Sequence, residues 1–149
     1  TVLVGKAPAL ILERLDGGDC RIPDDSGGSV ILIEFWGTCC KAKLSYLEYL
    51  DDLYSKYKDN GLIVYGINVD AAAAKSRIKP AVKRYGYEFP VLLDPDREAL
   101  KNFSPSGVIP YTVLINKDGE IIFSAPGNTT TNRHAVERIL GEMFEPGSP

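Results

Sequence analysis

"SVILIEFWGTCCKAK", Ser29 to Lys43, decides how the rest of the chain is read. Its first eight residues are nearly unbroken Val, Ile, Leu and Phe, the pattern of a strand covered on both faces. Such a strand belongs at the centre of a sheet. Gly37 breaks the run, and two adjacent cysteines, Cys39 and Cys40, follow where a helical pattern begins. From Lys41 to about Lys58, Leu44, Leu47, Leu50, Tyr54 and Tyr57 recur at three- and four-residue steps, which predicts a helix ending at Asn60–Gly61. The cysteines therefore stand at a strand-to-helix turn.

Outward from this unit, "ALILERL" (Ala9–Leu15), "DGGD" and "CRI" read as a hairpin whose turn glycines supply positive φ. "LIVYGINVD" (Leu62–Asp70) is a second buried strand. Ala71 to Tyr85 is helical in pattern, with Pro80 marking a break or a fresh helix that starts on proline. "FPVLLD" and a short helix "DREALKNF" follow, then "YTVLINKDGEIIFSA" as two strands joined at Lys117-Asp118-Gly119. Val136, Ile139, Leu140 and Met143 give a closing helix its apolar face. Alternating strands and helices followed by a hairpin predict an α/β protein with a mixed sheet and helices on both faces.

With 149 residues, 44% hydrophobic and 25% charged, one globular domain spanning 1–149 is expected. The net charge of -3 comes from 20 acidic and 17 basic residues that are interspersed, which leaves no nucleic-acid footprint and no polybasic membrane patch. No apolar run approaches the roughly 18 residues of a membrane span. The opening "TVLVGKAP" has no charged-then-apolar leader, as expected of a mature or trimmed form. Cys20, Cys39 and Cys40 are too few for a disulfide scaffold, and His134 is the only histidine, so neither a metal site nor a cofactor is expected. Cys39 and Cys40 are poor partners for each other, because adjacent Cα atoms lie closer than a relaxed disulfide allows.

A cysteine at the start of a helix has a physical reason to react. The free first-turn N–H groups and the helix dipole favour thiolate, and Lys41 and Lys43 add positive charge nearby. This points to Cys40. On spacing alone, two small buried hydrophobes at a strand end fit equally well.

The stretches "GKAPALILERLDGG", "VILIEFWGTCC", "LIVYGINVD", "YEFPVLLDPD" and "GVIPYTVLINKDGEII" fall in an order that resembles the TlpA/ResA-like class of thioredoxin-fold proteins, a branch of the redoxin (AhpC/TSA-like) superfamily. The resemblance covers nearly the whole chain and implies a thioredoxin-like fold with an added N-terminal hairpin. The class carries Phe-Trp-(Ala/Gly)-Thr-Trp-Cys-x-x-Cys. Laid on it, Cys39 takes the tryptophan position, Cys40 that of the attacking nucleophile, and Lys43 that of the resolving cysteine. The resemblance further implies that Trp36, Cys39, Ile109 and Pro110 contact substrate, with Ile109–Pro110 cis. On the residues alone, a trans proline at an edge strand is the alternative. Glu34, two before Trp36, takes the place of a buried acid. An ion pair between Glu34 and Lys43 beneath the site is one expectation, and a Lys43 that reaches water along its methylenes is the other.

A single thiol forms a mixed disulfide that an external thiol must release. The expected function is therefore thiol-disulfide exchange through Cys40 as a monothiol, with protein or peptide disulfides and a small-molecule thiol as partners. Cys20, in the hairpin, is expected at the far edge of the sheet and away from this chemistry. The alternative is a redox-inactive module that holds a peptide beside Pro110. A peroxidase fits least, since Gly37 rather than threonine stands three before Cys40, and no proline lies between Ser29 and Cys40. The resembled class implies an extracytoplasmic location, in the periplasm or on the outer face of a bacterial membrane, with an N-terminal anchor in the precursor.

Overall fold

Every residue of β4 (Val30–Trp36) is buried, and the chain is arranged about this strand. The computed structural model describes residues 5–38, 47–126 and 129–145. With β4, the strands β1 (Gly5–Lys6), β2 (Leu10–Arg14), β3 (Asp19–Ile22), β5 (Leu62–Asn68), β6 (Val91–Leu93), β7 (Tyr111–Ile115) and β8 (Glu120–Pro126) form one sheet in the order β1-β8-β7-β4-β5-β6-β2-β3. β4, β5 and β6 run parallel, and the other pairings are antiparallel. The helices are α1 (Glu48–Tyr57), α2 (Ile78–Tyr85), α3 (Glu98–Phe103) and α4 (Thr130–Phe144).

Strand alternation sorts β4 between two cores. Ile31, Ile33 and Phe35 pack with Ile67, Tyr111, Val113 and the α3 residues Leu100 and Phe103. The Phe35 and Phe103 rings lie 5.7 Å apart. Val30, Leu32 and Trp36 face the other way, onto Leu50, Leu53 and Tyr57 of α1 and Val136 and Leu140 of α4. Helices thus cover both faces, which is why β4 reads as an unbroken apolar run. Glu34 falls on the second face.

The hairpin is β2–β3, joined by Gly17 (φ 102°) and Gly18 (φ 83°), and it occupies the sheet edge beside β6. Cys20 is fully buried there. Two details differ from the sequence reading. Pro80 does not begin α2 but is its third residue, a first-turn position whose N–H has no partner inside the helix in any case; a 3-10 turn over Ala72–Arg77 precedes it. Met143 is 37% exposed, because Val136 and Leu140 already fill the seam against the sheet and Met143 falls outside it. Of the helix expected from Lys41, residues 41–46 lie outside the described residues.

Candidate functional site

Three chain segments meet at one end of the central strands. β4 ends at Trp36, and β7 begins beside it at Tyr111, paired with Phe35. β5 ends at Asn68, in register with Trp36. The peptide joining Ile109 to Pro110, immediately before β7, is cis. Ile109 is partly buried against the Phe35 core. Cys39, Cys40 and Lys43 lie outside the described residues; the strand end that delivers them is described up to Thr38.

Trp36 is fully buried. Its indole faces Gly66, where a Cβ would sit 3.2 Å from Trp36 Nε1 and 2.4 Å from the Phe89 ring. Glycine is therefore required at this crossing, and Trp36 lies within the core rather than lining a surface.

Glu34 is fully buried on the same face. Its lateral neighbours are Gly66 on β5 and Thr112 on β7. Thr112 Oγ1 donates to Glu34 Oε1 at 2.6 Å, and among the described residues Oε2 has no hydrogen-bond partner. Burial pushes the carboxyl from its ordinary 4.5 up to about 8, against the opposing pull of the Thr112 and Tyr49 hydroxyls. The Tyr49 phenol is itself raised, first by burial and then by the nearby Glu34. The Arg133 guanidinium of α4 lies 5.8 Å from the Tyr49 ring centre.

Asp70 follows β5 by two residues and is 4% exposed. Thr38 N–H donates to both of its oxygens at 3.0 Å, and Thr38 Oγ1 donates to Oδ2 at 2.6 Å. The sequence pattern alone gives Asp70, Tyr49 and Thr112 no place at the site. The available signal was a polar pair, Asn68 and Asp70, closing an otherwise apolar strand. On the other side of the 109–110 peptide, Phe103, Pro105, Val108, Tyr111 and Pro126 line a groove of about 320 Å³. Among the described residues, no group of three or more His, Cys, Asp or Glu side chains is placed to hold a metal ion.

Residues 4–124 match the AhpC/TSA family. The thiol-disulfide oxidoreductase ResA of Bacillus thuringiensis subsp. konkukian is 37% identical over 143 residues, covering 94% of this chain and 78% of that protein. A solved structure from Chlorobium tepidum, assigned as a thiol:disulfide interchange protein of the DsbE type, superposes with a TM-score of 0.81 at 24% identity, over 95% of this chain and 98% of that one. The thioredoxin domain of a thiol-disulfide oxidoreductase from Bacteroides vulgatus gives 0.75 at 23% identity, over 93% and 99%. The fold is therefore thioredoxin-like, as the sequence implied. The chain belongs to the AhpC/TSA family, in its ResA-like group of thiol-disulfide oxidoreductases.

Proposed function

We propose that this chain exchanges thiols and disulfides through Cys40 as a monothiol. The observation that carries the reading is the pairing of Phe35 with Tyr111, which brings the strand end leading to the cysteines beside the start of the strand that follows Pro110. In the first step the Cys40 thiolate attacks a disulfide R–S–S–R′; the Cys40–S–R bond forms as the S–S bond breaks, and R′S⁻ leaves and takes a proton. A second thiol then attacks the mixed disulfide, gives up its proton, and releases Cys40 as thiolate with a new external disulfide. Electrons balance without any cofactor. Lys43, at the resolving position, supplies no sulfur for internal release.

The substrate we infer is a protein or peptide disulfide, with Ile109 and Pro110 beside the reacting bond and the Phe103–Val108–Pro126 groove receiving the flanking chain. An extracytoplasmic location suits this chemistry, because disulfides persist there. No helix among the described residues is long and apolar enough to cross a membrane.

The test is reduction of insulin and of a glutathione mixed disulfide, with and without added glutathione. Turnover is expected only with the external thiol, and is expected to vanish in Cys40→Ser. Turnover of the mixed disulfide that survives Cys40→Ser overturns Cys40 as nucleophile. If neither substrate is reduced under any condition and the protein still binds the oxidised peptide, it is a binding module.

A further inference from the structure

Asp70 is a buried carboxylate that the proposed exchange does not use, and its bonds converge on the residue that precedes the two cysteines. By accepting both the N–H and the hydroxyl of Thr38, it fixes that residue's backbone and its χ1 rotamer together. Asp70 is itself held in a closed ring. Its N–H donates to Asn68 Oδ1 at 2.9 Å, and Asn68 Nδ2 donates back to Oδ2 at 3.1 Å. Thr38 and Asn68 offer it donors only, the arrangement that suits an ionised carboxylate.

The segment carrying Asp70 is anchored from both sides. Val69 N–H donates to the Trp36 carbonyl at 2.8 Å, which holds β4 and β5 together to their last residues. Arg97 Nε donates to the Val69 carbonyl at 3.3 Å. Arg97 has φ 58°, a left-handed conformation that is unfavourable for a side chain and persists only where surrounding contacts demand it. An independent feature of the fold thus maintains the same few atoms.

We propose that Asp70 is a positioning residue for thiol exchange: through Thr38 it fixes where the two-cysteine turn begins, and so the approach of the sulfur to a substrate disulfide. The proposal rests on the reading of this turn as the reacting one. Its force comes from the single thiol. Attack on the substrate and release by an external thiol both pass through one sulfur, so every step depends on where that sulfur stands, and a misplacement of about 1 Å costs up to roughly 100-fold in rate.

The experiment follows the rate of exchange with glutathione disulfide as a function of pH, at a temperature where every variant is folded. The plateau, where the thiol is fully ionised, is the quantity compared, because it reports geometry and not ionisation. Asp70→Ala is expected to lower the plateau at least about tenfold. Thr38→Val is expected to lower it about threefold or more, with Thr38→Ser restoring it. Leu62→Ala, a core cavity at the opposite end of β5 in register with Val30, is expected to lower stability and leave the plateau within about twofold. Should Asp70→Ala fail to fold, the Thr38→Val and Thr38→Ser pair decides alone. Plateaus for Asp70→Ala and Thr38→Val that match Leu62→Ala overturn the proposal. Cys40→Ser separates the two readings: exchange lost there, with the Asp70 variants at wild-type plateau, sinks the positioning role and keeps the nucleophile. Exchange that survives in Cys40→Ser moves the nucleophile to Cys39, and the Asp70 effect on that thiol still decides the proposal.

Discussion

Glu34, near the end of β4, and Asp70, just past the end of β5, are both buried carboxylates at the same end of the sheet, and their surroundings are opposite. Asp70 is met by an N–H, a hydroxyl and an amide. Glu34 is met by the Thr112 hydroxyl at Oε1 and by the nearby Tyr49 phenol, and among the described residues Oε2 has no hydrogen-bond partner. Both are buried; burial pushes Glu34 toward its protonated form, and the two carboxyls differ in the donors that meet them. The carboxyl that meets Thr38 is ringed by donors, whereas Glu34 keeps its proton to about pH 8.

The largest consequence is in the pH dependence of stability. Folded Glu34 titrates at about 8 and the unfolded carboxyl at its ordinary 4.5. Below 4.5 both states carry the proton, and Glu34 contributes no slope. As pH rises through the window, the unfolded chain gives up a proton that the folded chain retains, so stability falls, by on the order of 3–5 kcal/mol in all. Above about 8 both are ionised and the decline stops. Denaturant melts at about pH 5 and about pH 8.5 are expected to show this loss in the parent protein and to show most of it removed in Glu34→Gln. A parent curve that is flat across the window would mean that Glu34 is already ionised and paired, as the Glu34–Lys43 ion pair supposes.

Asp70 should behave in the contrasting way. Asp70→Ala leaves the Thr38 N–H and hydroxyl and the Asn68 amide short of an acceptor, at a cost of about 3 kcal/mol. The loss should be the same at both pH values, since the stranded donors do not titrate. A loss confined to the higher pH would place Asp70 in the same class as Glu34 and dissolve the contrast.

The contrast also marks where sequence reading stopped. β4 and its central place were legible because Val30 to Trp36 is apolar on both faces, a pattern that only a doubly covered strand needs. The hairpin at Gly17–Gly18 was legible from turn chemistry, and Glu34 was singled out by its place before Trp36. Asp70, Tyr49 and Thr112 were not, because their significance lies in pairings across long sequence separations: 32 residues between Thr38 and Asp70, and 78 between Glu34 and Thr112. A helical stripe of Leu and Tyr hides Tyr49, which lies between Leu47 and Leu50 and whose phenol acts on the buried Glu34. The break that Pro80 marks falls two residues before it, where the 3-10 turn gives way to α2, because proline is tolerated throughout the first turn and so marks a helix start without fixing it.

Gly66 sharpens the comparison from the wall of the Glu34 pocket. A Cβ there would sit 2.4 Å from the Phe89 ring, so Gly66→Ala must displace Phe89 or Trp36, at an overpacking cost of about 1–3 kcal/mol. The strain should be relieved in part by Phe89→Leu in the double variant, read as a positive coupling in a double-mutant cycle. Strict additivity of the two losses would mean that the backbone, and not Phe89, absorbs the new methyl.

The smallest expected effect comes from Thr112→Val, which removes the hydroxyl that donates to Glu34 Oε1 and keeps the side chain's shape. That bond favours the ionised carboxylate, so its loss should push the Glu34 titration further up. At about pH 7 the folded carboxyl is already protonated and the bond is one between neutral groups, so the stability lost there should be about 1 kcal/mol or less. The distinguishing sign is in the slope. Because the folded proton is retained to higher pH, the decline in stability should continue beyond the point where the parent levels off, and Thr112→Ser should return the levelling to its original place. Tyr49→Phe should act in the same direction, since the phenol also holds the carboxyl down. If Thr112→Val instead levels off earlier than the parent, the hydroxyl was stabilising the protonated acid, and the pocket holds Glu34 neutral by design of its hydrogen bonds and not by burial alone.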